Sequence, residues 1–234
     1  MKKFNLQELQ EQLKKLFEWV KTHRETVTSI LIVAGVILVF GIYFIVHFIS
    51  ARKQAWEKVS FSQTYAMNGY NDQAIKLLDE VLSSYSGTKA AFYAKLYKAD
   101  IFYRTNNFQE AIKLYQNLVQ KCDNKTVQIF AYLGLGTSFE STGSYNEAIK
   151  TYSDFISKFP EHFLASRVYE SLARTYRLAG LAQQSKETYE KLLTLYPGTY
   201  FAKKAQEYIN PQQNTQQNLQ MNVGQGAQQK PKEK

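Results

Sequence analysis

Histidine and cysteine, the side chains that most often build catalytic and metal sites, are few and scattered in this chain of 234 residues. His23, His47 and His162 fall in three separate regions, and none has a cysteine or carboxylate partner at the spacing of a metal site. Cys122 is the single cysteine, so no internal disulfide can form. The sequence also has no glycine-rich phosphate loop and no nucleophile beside a base. We expect no cofactor, no metal, no small-molecule substrate and no enzymatic activity.

Positive charge is spread along the whole chain. Lys and Arg exceed Asp and Glu by nine. A diffuse positive excess favours contact with anionic lipid or acidic partners. No basic run is interleaved with aromatic residues, so we expect no nucleic-acid partner.

An apolar segment extends from Thr26 to Ser50 without Lys, Arg, Asp or Glu. Ile30 to Ile49 alone can cross a hydrocarbon core of roughly 30 Å, because a helix rises about 1.5 Å per residue. A cleaved signal peptide is the alternative, but its apolar region spans only about 7–15 residues. Residues 26–51 are therefore predicted to form one transmembrane helix in contact with membrane lipid, acting as an uncleaved signal anchor.

Basic residues near both ends of this segment bear on its orientation. On the N-terminal side these are Lys14, Lys15, Lys21 and Arg24. On the C-terminal side they are Arg52, Lys53 and Lys58. Lys2 and Lys3 add to the N-terminal side, and long domains cross membranes largely regardless of charge. We predict a cytoplasmic N-terminus and an extracytoplasmic C-terminal domain.

The two ends of the chain differ in character. Residues 1–25 place Leu6, Leu9, Leu13, Leu16 and Val20 on one helical stripe. This amphipathic segment fits a helix on the lipid surface or a short coiled-coil seam. The Gln-rich tail 211–234 has few apolar residues and no period, so it is predicted to be disordered.

Residues 52–210 contain columns of similar residues that recur every 37 positions. The reference column is small: Ala74, Ala111, Ala148 and Ser185. Twelve positions earlier stand further small residues: Ser62, Ala99, Gly136 and Ala173. Nine positions earlier stand aromatic residues: Tyr65, Phe102, Phe139 and Tyr176. Five positions earlier stand turn formers: Gly69, Asn106, Gly143 and Gly180. Four positions later stand Leu78, Tyr115, Tyr152 and Tyr189, and twelve later stand the helix stoppers or caps Ser86, Asp123, Pro160 and Pro197.

These columns predict stacked pairs of antiparallel helices. Facing small residues let the two helices of a pair approach closely, aromatic side chains fill the space between neighbouring pairs, and Gly or Asn makes the turn within a pair. No pair buries its apolar face alone, so stacking creates the core. The predicted pairs are 53–67 with 71–84, 89–104 with 108–121, 125–141 with 145–158, and 162–178 with 182–195. A capping helix is predicted at 199–209, and the helix at 26–51 is hypothesised to continue unbroken into the first pair.

The third repeat carries a clear family resemblance in Gly136, Phe139, Gly143, Tyr145, Ala148, Tyr152, Phe155 and Pro160. This order of small, aromatic, turn and Pro residues resembles the tetratricopeptide repeat family over roughly 56–210. The period of 37 exceeds the 34 of that family, which implies longer helices or turns. The expected fold is all-α: one transmembrane helix followed by a tetratricopeptide-type α-solenoid of about four helix pairs plus a capping helix.

The resemblance implies a groove that binds proteins, lined by the first helix of each pair. In the first two repeats the residues expected to line this groove are Trp56, Val59, Gln63, Tyr93, Leu96, Asp100, Tyr103 and Arg104. In the last two they are Phe130, Leu133, Thr137, Glu140, Ser141, Arg167, Glu170, Arg174, Arg177 and Leu178. The expected groove is aromatic in the middle and basic at its far end. Alternatively, Arg174 only pairs with Glu170, four residues earlier on a solvated helix face.

Family members that clamp a peptide carboxylate use a set of basic residues and Asn in these columns. Val59 and Gln63 occupy the first such positions here, so a clamp of that kind is not expected.

The order of short arm, membrane anchor and repeats resembles ancillary subunits of the bacterial Sec translocon. That resemblance implies a scaffold that passes emerging chains to chaperones. An envelope-assembly or division scaffold, or a regulatory subunit of a cytoplasmic-side enzyme, remains an alternative.

Overall fold

The computed structural model describes residues 6–210, with side chains from residue 10 onward. Residues 1–5 and the predicted tail 211–234 lie outside the described residues. The described part is helical throughout, which confirms the all-α prediction. Its helices are α1 (Leu6–Thr22), α2 (Arg24–Met67), α3 (Asn71–Ser84), α4 (Lys89–Arg104), α5 (Phe108–Lys121), α6 (Lys125–Ser141), α7 (Tyr145–Lys158), α8 (Ala165–Leu178), α9 (Ala182–Leu195) and α10 (Tyr200–Ile209).

The chain divides into two compact units, Met1–Gln54 and Ala55–Lys234. In the first unit, Leu13, Leu16, Phe17 and Trp19 of α1 are exposed, with Leu16 at 57% and Phe17 at 72%. Among the described residues, α2 is the helix whose length and composition would let it cross a membrane. A signal sequence near an N-terminus meets the same criterion.

In the second unit the small-residue columns lie where the helices of each pair meet. Ala74, Ala111 and Ala148 have no exposed surface, and the opposing Ala99 and Ala173 are equally buried. The fourth pair replaces Ala with Ser185. Its hydroxyl is satisfied, because it donates to the Ala173 carbonyl at 2.8 Å. The predicted close approach of paired helices is therefore present.

Helix α6 provides space for two tyrosine rings. A Cβ on Gly134 would lie 2.3 Å from the Tyr115 ring, and one on Gly136 would lie 2.3 Å from the Tyr152 ring. Both tyrosines are almost fully buried. The two glycines therefore let α5 and α7 pack a large side chain directly against the α6 backbone.

The turns within the pairs use the predicted left-handed residues. Asn106 has φ 61°, and the three glycines of that column have φ between 73° and 83°. The start of the fourth pair differs from the prediction, since α8 begins at Ala165 and not at 162. His162 forms a turn instead: its carbonyl accepts from the Ala165 N–H at 2.7 Å and its Nδ1 accepts from the Leu164 N–H at 3.3 Å.

Helix α10 covers the last pair, as predicted. Ala202 and Ala205 are buried, and Ala205 belongs to one apolar cluster with Ala173, Tyr189 and Leu192. The helix begins at Tyr200, one residue later than predicted. Thr199 is its N-cap and accepts the Ala202 N–H at 3.1 Å.

Candidate protein-binding groove

Two adjoining cavities lie along the first helices of the first three pairs. The larger, of about 530 Å³, is lined by Ser62, Gln63, Ala66, Met67, Tyr97, Asp100, Ile101, Tyr103 and Arg104. The smaller, of about 370 Å³, is lined by Tyr93, Leu96, Tyr97, Asp100, Tyr103, Tyr115, Phe130, Leu133, Gly134, Thr137 and Arg167. Tyr97, Asp100 and Tyr103 line both cavities. We call the two cavities together the groove.

The groove brings together most of the binding residues expected from the sequence. These are Gln63, Tyr93, Leu96, Asp100, Tyr103, Arg104, Phe130, Leu133, Thr137 and Arg167. Leu96 is only 5% exposed and forms part of the floor, whereas Phe130 is 42% exposed. Their role in binding a partner stays a prediction.

Sequence reasoning missed Tyr97, Tyr115 and Gly134, which also line the groove. Tyr115 comes from α5, a second helix of a pair, and the predicted groove included first helices only. It reaches the groove because Gly134 leaves room for its ring. The signal in the sequence was Gly134, a glycine of α6 that lies outside the repeat columns.

Aromatic contacts fix the walls of the groove. The rings of Trp56 and Tyr93 lie 5.2 Å apart, and those of Tyr93 and Tyr97 lie 6.2 Å apart. Tyr103 packs against Phe108 at 5.5 Å. Such ring pairs contribute about 0.5–1.5 kcal/mol each beyond their burial, so these walls are held in place before any partner arrives.

Asp100 lines both cavities of the groove, as do Tyr97 and Tyr103. The Tyr115 hydroxyl donates to its Oδ1 at 2.5 Å. Burial raises the pKa of Asp100, although the Tyr115 hydrogen bond and the charge of Arg104 oppose this rise. Burial and the Asp100 charge also raise the pKa of Tyr115 well above its ordinary value, so this hydroxyl stays protonated and remains a donor.

Arg174, Glu140 and Glu170, which the sequence also placed on the binding face, lie outside the two cavities and form an ion network. Arg174 is 2.9 Å from Glu140 and 2.9 Å from Glu170. Lys204 of α10 binds the second oxygen of Glu170 at 2.8 Å, and Thr175 donates to Glu140. Arg174 therefore pairs with Glu170, but Glu170 is only 3% exposed and does not lie on a solvated face. Arg177 lies outside this network, 5.4 Å from the centre of the Tyr208 ring.

This network ties α6, α8 and α10 together and occupies the expected basic end of the binding face. Removing one partner of a buried ion pair typically costs about 3–5 kcal/mol, because it leaves an uncompensated charge. Arg174 is thus committed to two carboxylates within the fold. Within the described residues, no group of three His, Cys, Asp or Glu side chains is placed to hold a metal ion.

The family described as "Tetratricopeptide repeat-like domain" matches residues 18–167. The chain belongs to this family. A second match, to the tetratricopeptide repeat itself, covers residues 169–199 and so the fourth pair. The first match includes the whole apolar segment 26–51 as well as the first three pairs.

Solved tetratricopeptide proteins share the fold at low sequence identity. A Podosopora anserina protein with nearly identical TPR-like repeats is 18% identical, with a TM-score of 0.56 over 75% of this chain and 96% of its own. A tetratricopeptide repeat protein from Parabacteroides merdae is 13% identical, with a TM-score of 0.57 over 70% and 61%. MamA is 23% identical, with a TM-score of 0.51 over 62% and 75%. No curated protein matches this chain.

Tetratricopeptide repeats present a preformed surface for binding other proteins. Membership in this family makes the chain a protein–protein interaction scaffold of a fold that is typically not catalytic. The groove has the character expected of such a surface, since interface anchors are enriched in Tyr, Trp and Arg.

Proposed function

We propose that this protein is a membrane-anchored scaffold at the extracytoplasmic face of the bacterial inner membrane. Residues 26–51 anchor it in the lipid, and the groove holds extended segments of proteins that emerge from the Sec translocon. The protein passes these segments to chaperones and does no chemistry of its own. The domain division proposed from the sequence, 1–25, 26–51, 52–210 and 211–234, belongs to this proposal.

One observation carries the proposal: the family match at 18–167 spans the apolar segment and the repeats together. An anchor that accompanies a binding array raises the local concentration of a weak interaction. An effective concentration in the millimolar range makes a weak groove interaction useful near the membrane. Weak binding also allows release, which transfer to a chaperone requires.

The first test is topology in a bacterial host. The full chain up to Asn210 is fused to alkaline phosphatase, which is active only outside the cytoplasm, and in parallel to green fluorescent protein, which folds only inside. Matched fusions after His23 report the other end of the apolar segment. We expect phosphatase activity at Asn210 and fluorescence at His23. The reverse pattern would move the repeats to the cytoplasm and overturn the location.

The second test addresses the partner. A photo-crosslinking amino acid replaces Phe130 in the groove, and a control variant carries it at Tyr200, which is 71% exposed and does not line the groove. We expect position 130 to capture translocon subunits or newly exported chains, and position 200 to capture neither. Equal capture at both positions would argue against the groove as the binding site.

A further inference from the structure

Asp100 has a central position in the groove. It lines both cavities, and so do the tyrosines at 97 and 103. Any extended chain that passes from one cavity to the other must therefore cross this carboxylate. Aromatic side chains line both cavities with it, and the lining of each cavity is mostly apolar.

The partners of Asp100 set it apart from the other acids on the first helices. Glu140 and Glu170 are each held by Arg174, and Glu170 also by Lys204. Among the described residues, no cation lies within 4.0 Å of Asp100, whose hydrogen-bond partner is the neutral Tyr115 hydroxyl. The charge of Arg104, one helical turn later, acts on Asp100 without forming an ion pair with it. A positive charge bound directly to this partly buried carboxylate would therefore be favourable.

The aromatic rings that line the groove beside Asp100 also favour a bound cation. A Lys ammonium or Arg guanidinium within about 6 Å of an aromatic ring is attracted to its face, by about 0.5–1 kcal/mol at exposed sites and about 2 when desolvated. The apolar stem of either side chain can pack along Tyr93 and Tyr97 while its charge reaches the carboxylate.

The nearby arginines limit how much positive charge can enter. Arg104 lines the larger cavity and Arg167 the smaller, and both are exposed. Solvent and salt screen their repulsion of one isolated cation over about 8 Å. A run of several basic residues would meet both guanidinium groups at short range.

We propose that Asp100, with Tyr93, Tyr97 and Tyr103, binds a single Lys or Arg flanked by apolar residues in an extended segment of a client protein. This inference rests on the proposed function, because it names what the groove recognises. The carboxylate supplies selectivity for the cation, and the cavities on either side accept the apolar neighbours. Tyr115 positions the carboxylate through its hydroxyl.

The test uses the full chain in lipid nanodiscs and three fluorescent nine-residue peptides with Gly and Ser flanks. Their centres are Leu-Lys-Leu, Leu-Gln-Leu and Leu-Glu-Leu, and binding is measured by anisotropy. We expect the Lys peptide to bind about tenfold more tightly than the Gln peptide, and the Glu peptide most weakly. The variant Asp100→Asn still accepts the Tyr115 hydrogen bond. Its affinities for the Lys and Gln peptides should agree within about twofold.

Asp72→Asn is the matched control. It makes the same substitution at an exposed position that lines neither cavity, so the Lys peptide should keep its preference over the Gln peptide. If Asp100 were only a structural partner of Tyr115, Asp100→Asn would weaken all three peptides alike. That result would overturn the inference.

Crosslinking from position 130 separates this inference from the proposed function. If the Lys and Gln peptides bind equally and both crosslink at 130, the groove binds clients and the assignment to Asp100 is wrong. If no peptide binds or crosslinks, the proposed function fails as well. If position 130 captures a second copy of the protein or residues 211–234 of its own chain, the occupant is not a client and the inference is overturned.

Discussion

At the scale of single residues, the two glycines of α6 pack closely against tyrosine rings. The ring of Tyr152 occupies the space that a Cβ on Gly136 would need. The first pair solves the same problem differently, with Ser62 opposite the smaller Leu78, both buried. Gly136 and the Tyr152 ring are thus matched in the third pair, whereas the second and fourth pairs have Ala99 and Ala173 in the first of these columns and keep a tyrosine in the second.

This coupling predicts the effect of Gly136→Ala. Ala gains about 0.5–1 kcal/mol of intrinsic helix stability over Gly. Forcing a methyl group against a buried ring costs about 1–3 kcal/mol, so we expect net destabilisation. Thermal unfolding followed by circular dichroism should show a melting temperature lower by about 2–4 °C, as that loss implies for a domain of this size.

A second substitution identifies the cause of this loss. The double variant Gly136→Ala with Tyr152→Leu recreates the arrangement of the first pair. It should be more stable than the sum of the two single variants implies, because contacting residues are not additive. Strict additivity, or an unchanged melting temperature in Gly136→Ala, would show that the Tyr152 ring relaxes without cost.

At the scale of helices, the repeat columns predicted the structure most accurately at positions where one residue type has a single physical role. The turn column is an example, since Asn106 adopts the same left-handed backbone as the glycines around it. The start of α8 was placed too early because the side chain and carbonyl of His162 close a turn after Pro160. That turn leaves no periodic signal in the sequence.

The ion network shows why part of the binding face could not be predicted. Arg174 and Glu140 are 34 residues apart and meet only because α8 packs beside α6 in one particular register. Sequence spacing gave the pairing with Glu170, which lies one helical turn away. The contact with Glu140 and the Lys204 contact from α10 depend on packing between helices, which repeat columns do not encode.

The capping helix gives a prediction at this scale. Ala205 is fully buried on the last pair, whereas Gln206 is exposed. Ala205→Asp should detach α10, because an unpaired buried carboxylate costs several kcal/mol. Gln206→Asp is the control, since it adds the same charge at an exposed position. Hydrogen exchange of the α9 amides should accelerate in Ala205→Asp only. Equal protection in both variants would mean that α9 does not depend on the cap.

At the scale of the whole chain, the open question is whether the apolar segment stays attached to the repeats. A signal sequence near the N-terminus meets the same length and hydropathy criterion, but its apolar region spans only about 7–15 residues. We expect the anchor proposed above, in which the residues after the segment stay joined to it. α2 continues without interruption to Met67, and its Ala55, Val59 and Ser62 are buried in the first repeat.

The anchor predicts the mass and location of the mature protein. Membranes washed with alkaline carbonate should retain a chain of 27.1 kDa by mass spectrometry, which is the mass of the uncut sequence.

The double variant Val36→Arg and Val39→Arg should reduce membrane insertion, since each central arginine costs about 2.5–3.5 kcal/mol on insertion scales. Gln73→Arg with Gln109→Arg adds the same charge at exposed positions of the repeats and should leave retention unchanged. A soluble product that begins after the apolar segment would show that the segment is a signal sequence, and the groove would then act without the local concentration that an anchor provides.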